Sequence, residues 1–125
     1  MKNFVSRNLS IVSTDPNPRP LDEWHDLYQY NVTDNTKKAL LLSLLVKNTS
    51  SSSSQSDVNL EVYITTSGGG LRYPLITYTE VLSNKDEFYI DRTKQLIVLN
   101  PGDKIRIRAH DYGIYAYCSV LENVN

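Results

Sequence analysis

The stretch Val58-Asn59-Leu60-Glu61-Val62-Tyr63-Ile64-Thr65 alternates apolar and polar residues without a break, and this period of two constrains the fold more than any other feature. Successive strand side chains point to opposite faces, so the four aliphatic groups fall on one face and the polar set on the other. Lys104 to Ala109 repeats the pattern, with Ile105, Ile107 and Ala109 against Lys104, Arg106 and Arg108; Ile114, Ala116, Cys118 and Val120 repeat it again. Lys37 to Asn48 is apolar on both parities. That is the pattern of a strand covered on both faces; its length would also suit a helix, but its neighbours favour the strand.

The punctuation agrees with strands. Ser50 to Ser54 is a polar, low-complexity run that reads as a hairpin tip. Ser67-Gly68-Gly69-Gly70 and Ser83-Asn84-Lys85-Asp86 read as loops, and Asn100-Pro101-Gly102-Asp103 as a turn in which Pro presets φ and Gly takes a positive one. Asp111-Tyr112-Gly113 supplies the last turn. Strands are therefore expected near 28–32, 38–48, 57–65, 72–82, 86–90, 95–99, 103–109 and 114–122. About eight short strands at this spacing predict an all-β fold, an antiparallel β-sandwich or jelly roll.

Residues 1–27 differ. Pro16, Pro18 and Pro20 at alternate positions fix φ and remove donors, so neither helix nor central strand runs through them. The expectation is an extended N-terminal arm and linker over 1–27 and a sandwich domain over 28–125. Phe4, Val5, Leu9, Ile11 and Val12 would make the arm lie on something, either its own domain or a neighbouring subunit. Leu21, Trp24 and Leu27 or Tyr28 have the spacing of one helical turn.

Composition narrows the function. The chain has 125 residues, 40% of them hydrophobic, with 13 Lys and Arg against 14 Asp and Glu for a net charge of −1. It fits one domain of ordinary size and exerts no global pull on nucleic acid or anionic membrane. One Cys and two His cannot build a multi-Cys/His metal cluster or a disulfide framework. Cys118, inside an apolar run, reads as a small buried hydrophobe. The first residues lack the apolar stretch of a secretory signal, and the run Ala39 to Val46 is far short of the ~20 residues that span a bilayer. The expected setting is an aqueous, reducing one, in which the Asn-x-Ser/Thr triplets at Asn8, Asn31 and Asn48 have no role.

No catalytic constellation emerges. Gly68-Gly69-Gly70 lacks the Gly-Lys-Ser/Thr of a phosphate loop; His25-Asp26 and His110-Asp111 have no Gly-x-Ser-x-Gly elbow to serve. Asp22, Glu23, Asp26, Asp86, Glu87 and Asp91 match neither a calcium loop nor a glycosidase pair, and read as solvated surface charge. Lys104, Arg106 and Arg108, extended by Arg72, Arg92 and Lys94, form a basic row best read as a polar sheet face or an intersubunit salt-bridge strip. The reading assigns no catalytic residue, cofactor or metal. What stands out is nine tyrosines against two Phe and one Trp. Exposed, rigid, amphipathic rings suit interfaces and sugar-binding modules; strand-forming aromatics half-buried under loops are the plainer alternative.

The residues from Lys38 to Thr49, the alternating Val58 to Ile64, the run Leu96-Ile97-Val98-Leu99-Asn100-Pro101-Gly102-Asp103-Lys104-Ile105-Arg106-Ile107-Arg108-Ala109 and the closing Ser119-Val120-Leu121-Glu122 together resemble the small β-sandwich virion proteins of tailed bacteriophages. The resemblance covers roughly 38–122, and Asn3 to Leu9 is similar to the short N-terminal arms of such proteins. The sequence departs from them in its proline-rich 14–20 and in Leu21 to Tyr28. The resemblance implies a non-enzymatic structural component of a phage particle, made in the host cytoplasm: a capsid decoration protein or a neck, collar or tail attachment component. The expected partners are other virion proteins and further copies of the chain, with no nucleic acid and no membrane. The expected contacts are Phe4, Val5, Leu9, Ile11 and Trp24 from the arm and linker, with Tyr63, Tyr115 and Tyr117 from sheet faces. The alternative is a carbohydrate-binding module framed by loops 66–73 and 110–114.

Overall fold

The computed structural model describes residues 2–49, 58–82 and 87–125, the side chains of 78–82 excepted. The expected hairpin tip at Ser50 to Ser54 and the loop at Ser83 to Asp86 lie outside these residues. Among them the chain forms nine strands: β1 (Asn3–Ile11), β2 (His25–Gln29), β3 (Lys38–Asn48), β4 (Val58–Thr65), β5 (Leu71–Leu82), β6 (Glu87–Asp91), β7 (Ile97–Leu99), β8 (Lys104–Ala109) and β9 (Ile114–Val124). One sheet runs β1-β9-β3-β6, with β7 also on β3, and the other runs β2-β8-β4-β5. All the pairings are antiparallel.

The order has a simple origin. β1 pairs with β9, β2 with β8, β3 with β7 and β6, and β4 with β5, so the chain is one long antiparallel hairpin whose successive pairs alternate between sheets. Rolling such a hairpin up gives the jelly-roll form of a β-sandwich. The core lies between the layers, where the predicted inward parities meet: Val58, Leu60, Val62 and Ile64 from β4, Ile105 and Ile107 from β8, and Ile114, Ala116, Cys118 and Val120 from β9 are all buried. Each large aliphatic group among them contributes ~1.5–3 kcal/mol.

Residues 3–11 are not a detached arm. They form an edge strand of the chain's own five-stranded sheet, and Leu9 and Ile11 are core residues. Leu9 and Ile11 therefore leave the set of expected intersubunit contacts: packed between the sheets, they have no surface to offer a neighbour. The proline segment is an exposed link carrying the chain from β1 in one sheet to β2 in the other. The expected helical turn over 21–28 is absent. A bulge between Asp26 and Tyr28 turns both Leu27 and Tyr28 inward, which disguises a strand's period of two as a spacing of three.

Two turns hold the end of the sandwich where β8 begins. Gly102 has φ +88°, as its turn requires, and donates to Tyr30 O at 2.7 Å, while Tyr30 N donates to Asp103 O at 2.9 Å. The buried Asp103 carboxylate accepts from Asn100 N at 2.8 Å and pairs with Arg72 at 2.7 Å. Two Asp-x-Thr-Lys turns, Asp34 to Lys37 and Asp91 to Lys94, share one design. The Asp Oδ1 accepts from the Thr hydroxyl and from its backbone N–H, at 2.9 Å for Thr36 and 3.0 Å for Thr93. Those bonds, the hydroxyl's foremost, hold both carboxyls below their ordinary range.

Candidate functional site

Each sheet has an outward face, and the two differ in chemistry. On the four-stranded sheet β8 presents Lys104, Arg106 and Arg108. The register sets Asp26 beside Arg106 and Glu61 beside Arg108. Arg106 Nε lies 2.7 Å from Asp26 and Lys104 Nζ 3.7 Å from it; Arg108 Nε donates to Glu61 at 2.7 Å. His110 Nδ1 pairs with Asp22, and its Nε2 lies 3.6 Å from Glu61. Trp24 closes the network, with the Arg108 guanidinium 4.6 Å above its ring and Tyr63 edge-on at 5.5 Å. The basic row is thus a polar sheet face neutralised within the chain. Arg92 and Lys94 belong to the other sheet's β6–β7 turn, where Lys94 lies 5.4 Å over Tyr89.

The outward face of the five-stranded sheet alternates bands of apolar and polar side chains. The register aligns side chains in rows across it. Phe4, Leu121, Leu40 and Val98 form one row; Ser6, Ser119, Ser43 and Asp91 the next; Asn8, Tyr117, Leu45 and Tyr89 the third; and Ser10, Tyr115, Lys47 and Glu87 the fourth. Leu42 adds to the face at a bulge between Leu41 and Ser43. Phe4 is 75% exposed, Tyr89 44% and Val98 37%, while Leu40, Leu42, Leu45 and Leu121 are half-buried. Tyr117 donates its hydroxyl to Ser6 at 3.1 Å and lays its ring across the face.

The sequence reading of β3 is corrected here. It is not covered on both faces: Ala39, Leu41, Leu44 and Val46 enter the core, and the outward leucines keep only the partial shelter of their sheet neighbours among the described residues. Of the expected contacts, Phe4, Tyr117 and Tyr115 share this face, in its first, third and fourth rows. Val5 packs partly against the core, and Trp24 and Tyr63 sit together on the opposite sheet. Leu40, Leu42, Leu45, Leu121, Tyr89 and Val98 were not singled out from the sequence. The double parity of Lys38–Asn48 is the signal for Leu40, Leu42 and Leu45; Leu121, Tyr89 and Val98 join them only through the strand pairing.

Where β7 meets β5, a cleft of about 250 Å³ opens, lined by Ile64, Arg72, Tyr73, Gln95, Leu96, Ile97 and Val98. The loops expected to frame one carbohydrate site do not meet. Thr65 and Lys104 are paired at one end of β8, and His110 follows its other end, so 66–73 and 110–114 lie ~20 Å apart.

Buried hydroxyls and the thiol are structural. Tyr28 donates to Glu122 and Tyr30 to Asn123 Oδ1 at 3.0 Å, tying β2 and its following residue to the end of β9; burial, reinforced by Glu122, pushes the Tyr28 phenol up. Burial pushes the Cys118 thiol up to about 12. Among the described residues no three His, Cys, Asp or Glu side chains converge as a metal site would need, and no helix is long and apolar enough to cross a membrane. Searches of protein-family models, curated proteins and solved structures each found no match.

Proposed function

We propose that the chain is a non-enzymatic structural protein of a tailed-phage particle, a capsid decoration protein or a neck, collar or tail attachment component, that strengthens the assembly by packing on its neighbours. The phage setting rests on the sequence resemblance; one structural observation supports packing on neighbours, that the outward side of β3 carries Leu40, Leu42 and Leu45, which the described chain covers only in part. Rings and leucines left partly exposed on one sheet face, here in two bands either side of the Ser6, Ser119, Ser43 and Asp91 row, are costly in water and fit a contact surface. The rings and leucines arrayed on it, Phe4, Tyr89 and Tyr117 with Leu40, Leu42 and Leu45, are side chains that bury much area when a partner arrives. The fold accords with the role without selecting it, since jelly rolls serve in viral capsids and in lectins. Immunogold labelling of intact particles tests the proposal. Gold at regular positions on the head, neck or tail is expected; unlabelled particles that lack the chain would refute it.

A second reading, a carbohydrate-binding module, draws on one feature. Tyr73 is 41% exposed beside the cleft and receives a hydrogen bond from Gln95, an aromatic platform with polar neighbours. A glycan array probed with the purified chain separates the readings: signal lost on Tyr73→Ala favours sugar, and a blank array favours the structural role.

A further inference from the structure

We infer that copies of this chain join head to tail, the Phe4 edge of one against the cleft edge of the next. This rests on the outward face being an assembly surface and narrows the neighbour to a second copy. Phe4, the most exposed large apolar side chain of the described residues, stands on β1 at one edge of the five-stranded sheet. The cleft beside Tyr73, Leu96 and Val98 opens at the opposite edge. Its volume of about 250 Å³ leaves room for a phenyl ring, with Leu96, Ile97 and Val98 as apolar walls and Arg72 and Gln95 also lining it.

The register sets the knob level with Val98, one wall of the hole. Phe4 and Val98 end the same row, so a second copy placed alongside with its rows in line sets its Phe4 at the first copy's Val98. The same placement brings Ser6 to Asp91 and Arg7 to Ile90, because those residues also end common rows. Arg7 is the one charged residue in β1, with Lys2 just before it; the facing edge is of mixed charge, with Glu87 and Asp91 in β6 followed by Arg92 and Lys94 in the β6–β7 turn, so the apolar knob and the cleft, not charge, carry the contact. The side of the sandwich, nine residues of β1 long and two sheets deep, offers roughly 600 Å² per copy, the scale of a specific interface. Knob and hole on different parts of one surface make a heterologous contact, which closes into a ring or grows as a filament.

The test is a full-length Phe4→Cys/Leu96→Cys chain oxidised under native conditions and run on a non-reducing gel. The two positions lie at opposite edges of one molecule, too far apart for a disulfide within it, and Cys118 is buried. A ladder of dimers, trimers and higher species is expected, with each single variant unable to pass dimer. Sedimentation of Phe4→Ala, with its circular dichroism unchanged, is expected to show self-association weakened at least tenfold. No ladder from a chain that stays monomeric would overturn the inference, as would efficient dimers from Phe4→Cys alone, which mean face-to-face packing. Particles that incorporate a chain giving no ladder would remove this contact and keep the phage role; a ladder-forming chain absent from particles would uphold the contact and remove the role.

Discussion

At Gly102 the backbone stands at φ +88°, and a Cβ there would lie 2.7 Å from the Ser67 Cβ. Gly102→Ala should therefore cost ~1–3 kcal/mol, read as a lower urea midpoint at unchanged slope. The turn itself was legible, since Asn-Pro-Gly-Asp dictates its geometry; that it closes on the 66–70 loop was not, because sequence carries no sign of which loop is near. Cys118 was legible too, sharing its parity with Ile114, Ala116 and Val120. Its thiol stays neutral in the folded chain up to about pH 12 and ionises near 9 once unfolded. Stability from this group is thus whole below pH 9 and falls as pH rises from 9 toward 12; Tyr28, also shifted up, adds to the fall above pH 10. Melting temperatures from pH 8 to 11 should drop more steeply for the natural chain than for Cys118→Ala. Leu9 and Ile11 show where residue reading stops: apolarity says that a side chain is buried, and leaves open in whose core.

Elements were legible where alternation was unbroken or where an apolar run was bounded by polar turns. The expected 38–48 strand is β3, 57–65 lies within a residue of β4, and 103–109 within a residue of β8. The expected 72–82, 86–90, 95–99 and 114–122 correspond to β5, β6, β7 and β9, and the misreadings are of β1, β2 and the outward side of β3. A bulge near Leu27 masked β2, and one near Leu42 helped make β3 read as apolar throughout. β1 read as an arm because Arg7 interrupts its inward parity of Val5, Leu9 and Ile11. Its pairing along the whole of Asn3–Ile11 leads to a prediction opposite to that for an arm. Deleting residues 2–12 should unfold the chain, since removing even one buried Leu or Ile side chain costs ~2–5 kcal/mol; loss of the far-ultraviolet strand signal at 25 °C would show it. Phe4→Ser, which touches no core, should move the unfolding free energy by less than ~1 kcal/mol.

For the whole molecule, the contrast between faces matters most. On β8 and β4 of one sheet charge is balanced within the chain: the cations meet Asp26 and Glu61, and Trp24 lies over Arg108. Glu61→Ala, which strips a nearly buried carboxylate from Arg108 and His110, should destabilise by ~1–3 kcal/mol without affecting assembly. The other sheet ends in Leu40, Leu42, Leu45 and Leu121 under Phe4 and Tyr117, a surface the described chain leaves partly open. The most direct measurement is uptake of a Leu42→Lys/Leu45→Lys chain into particles, scored against the natural chain in the same preparation with both melting temperatures in hand. The account predicts a variant that melts within a few degrees of the natural chain and is missing from the particles. A folded variant incorporated as fully as the natural chain would contradict it.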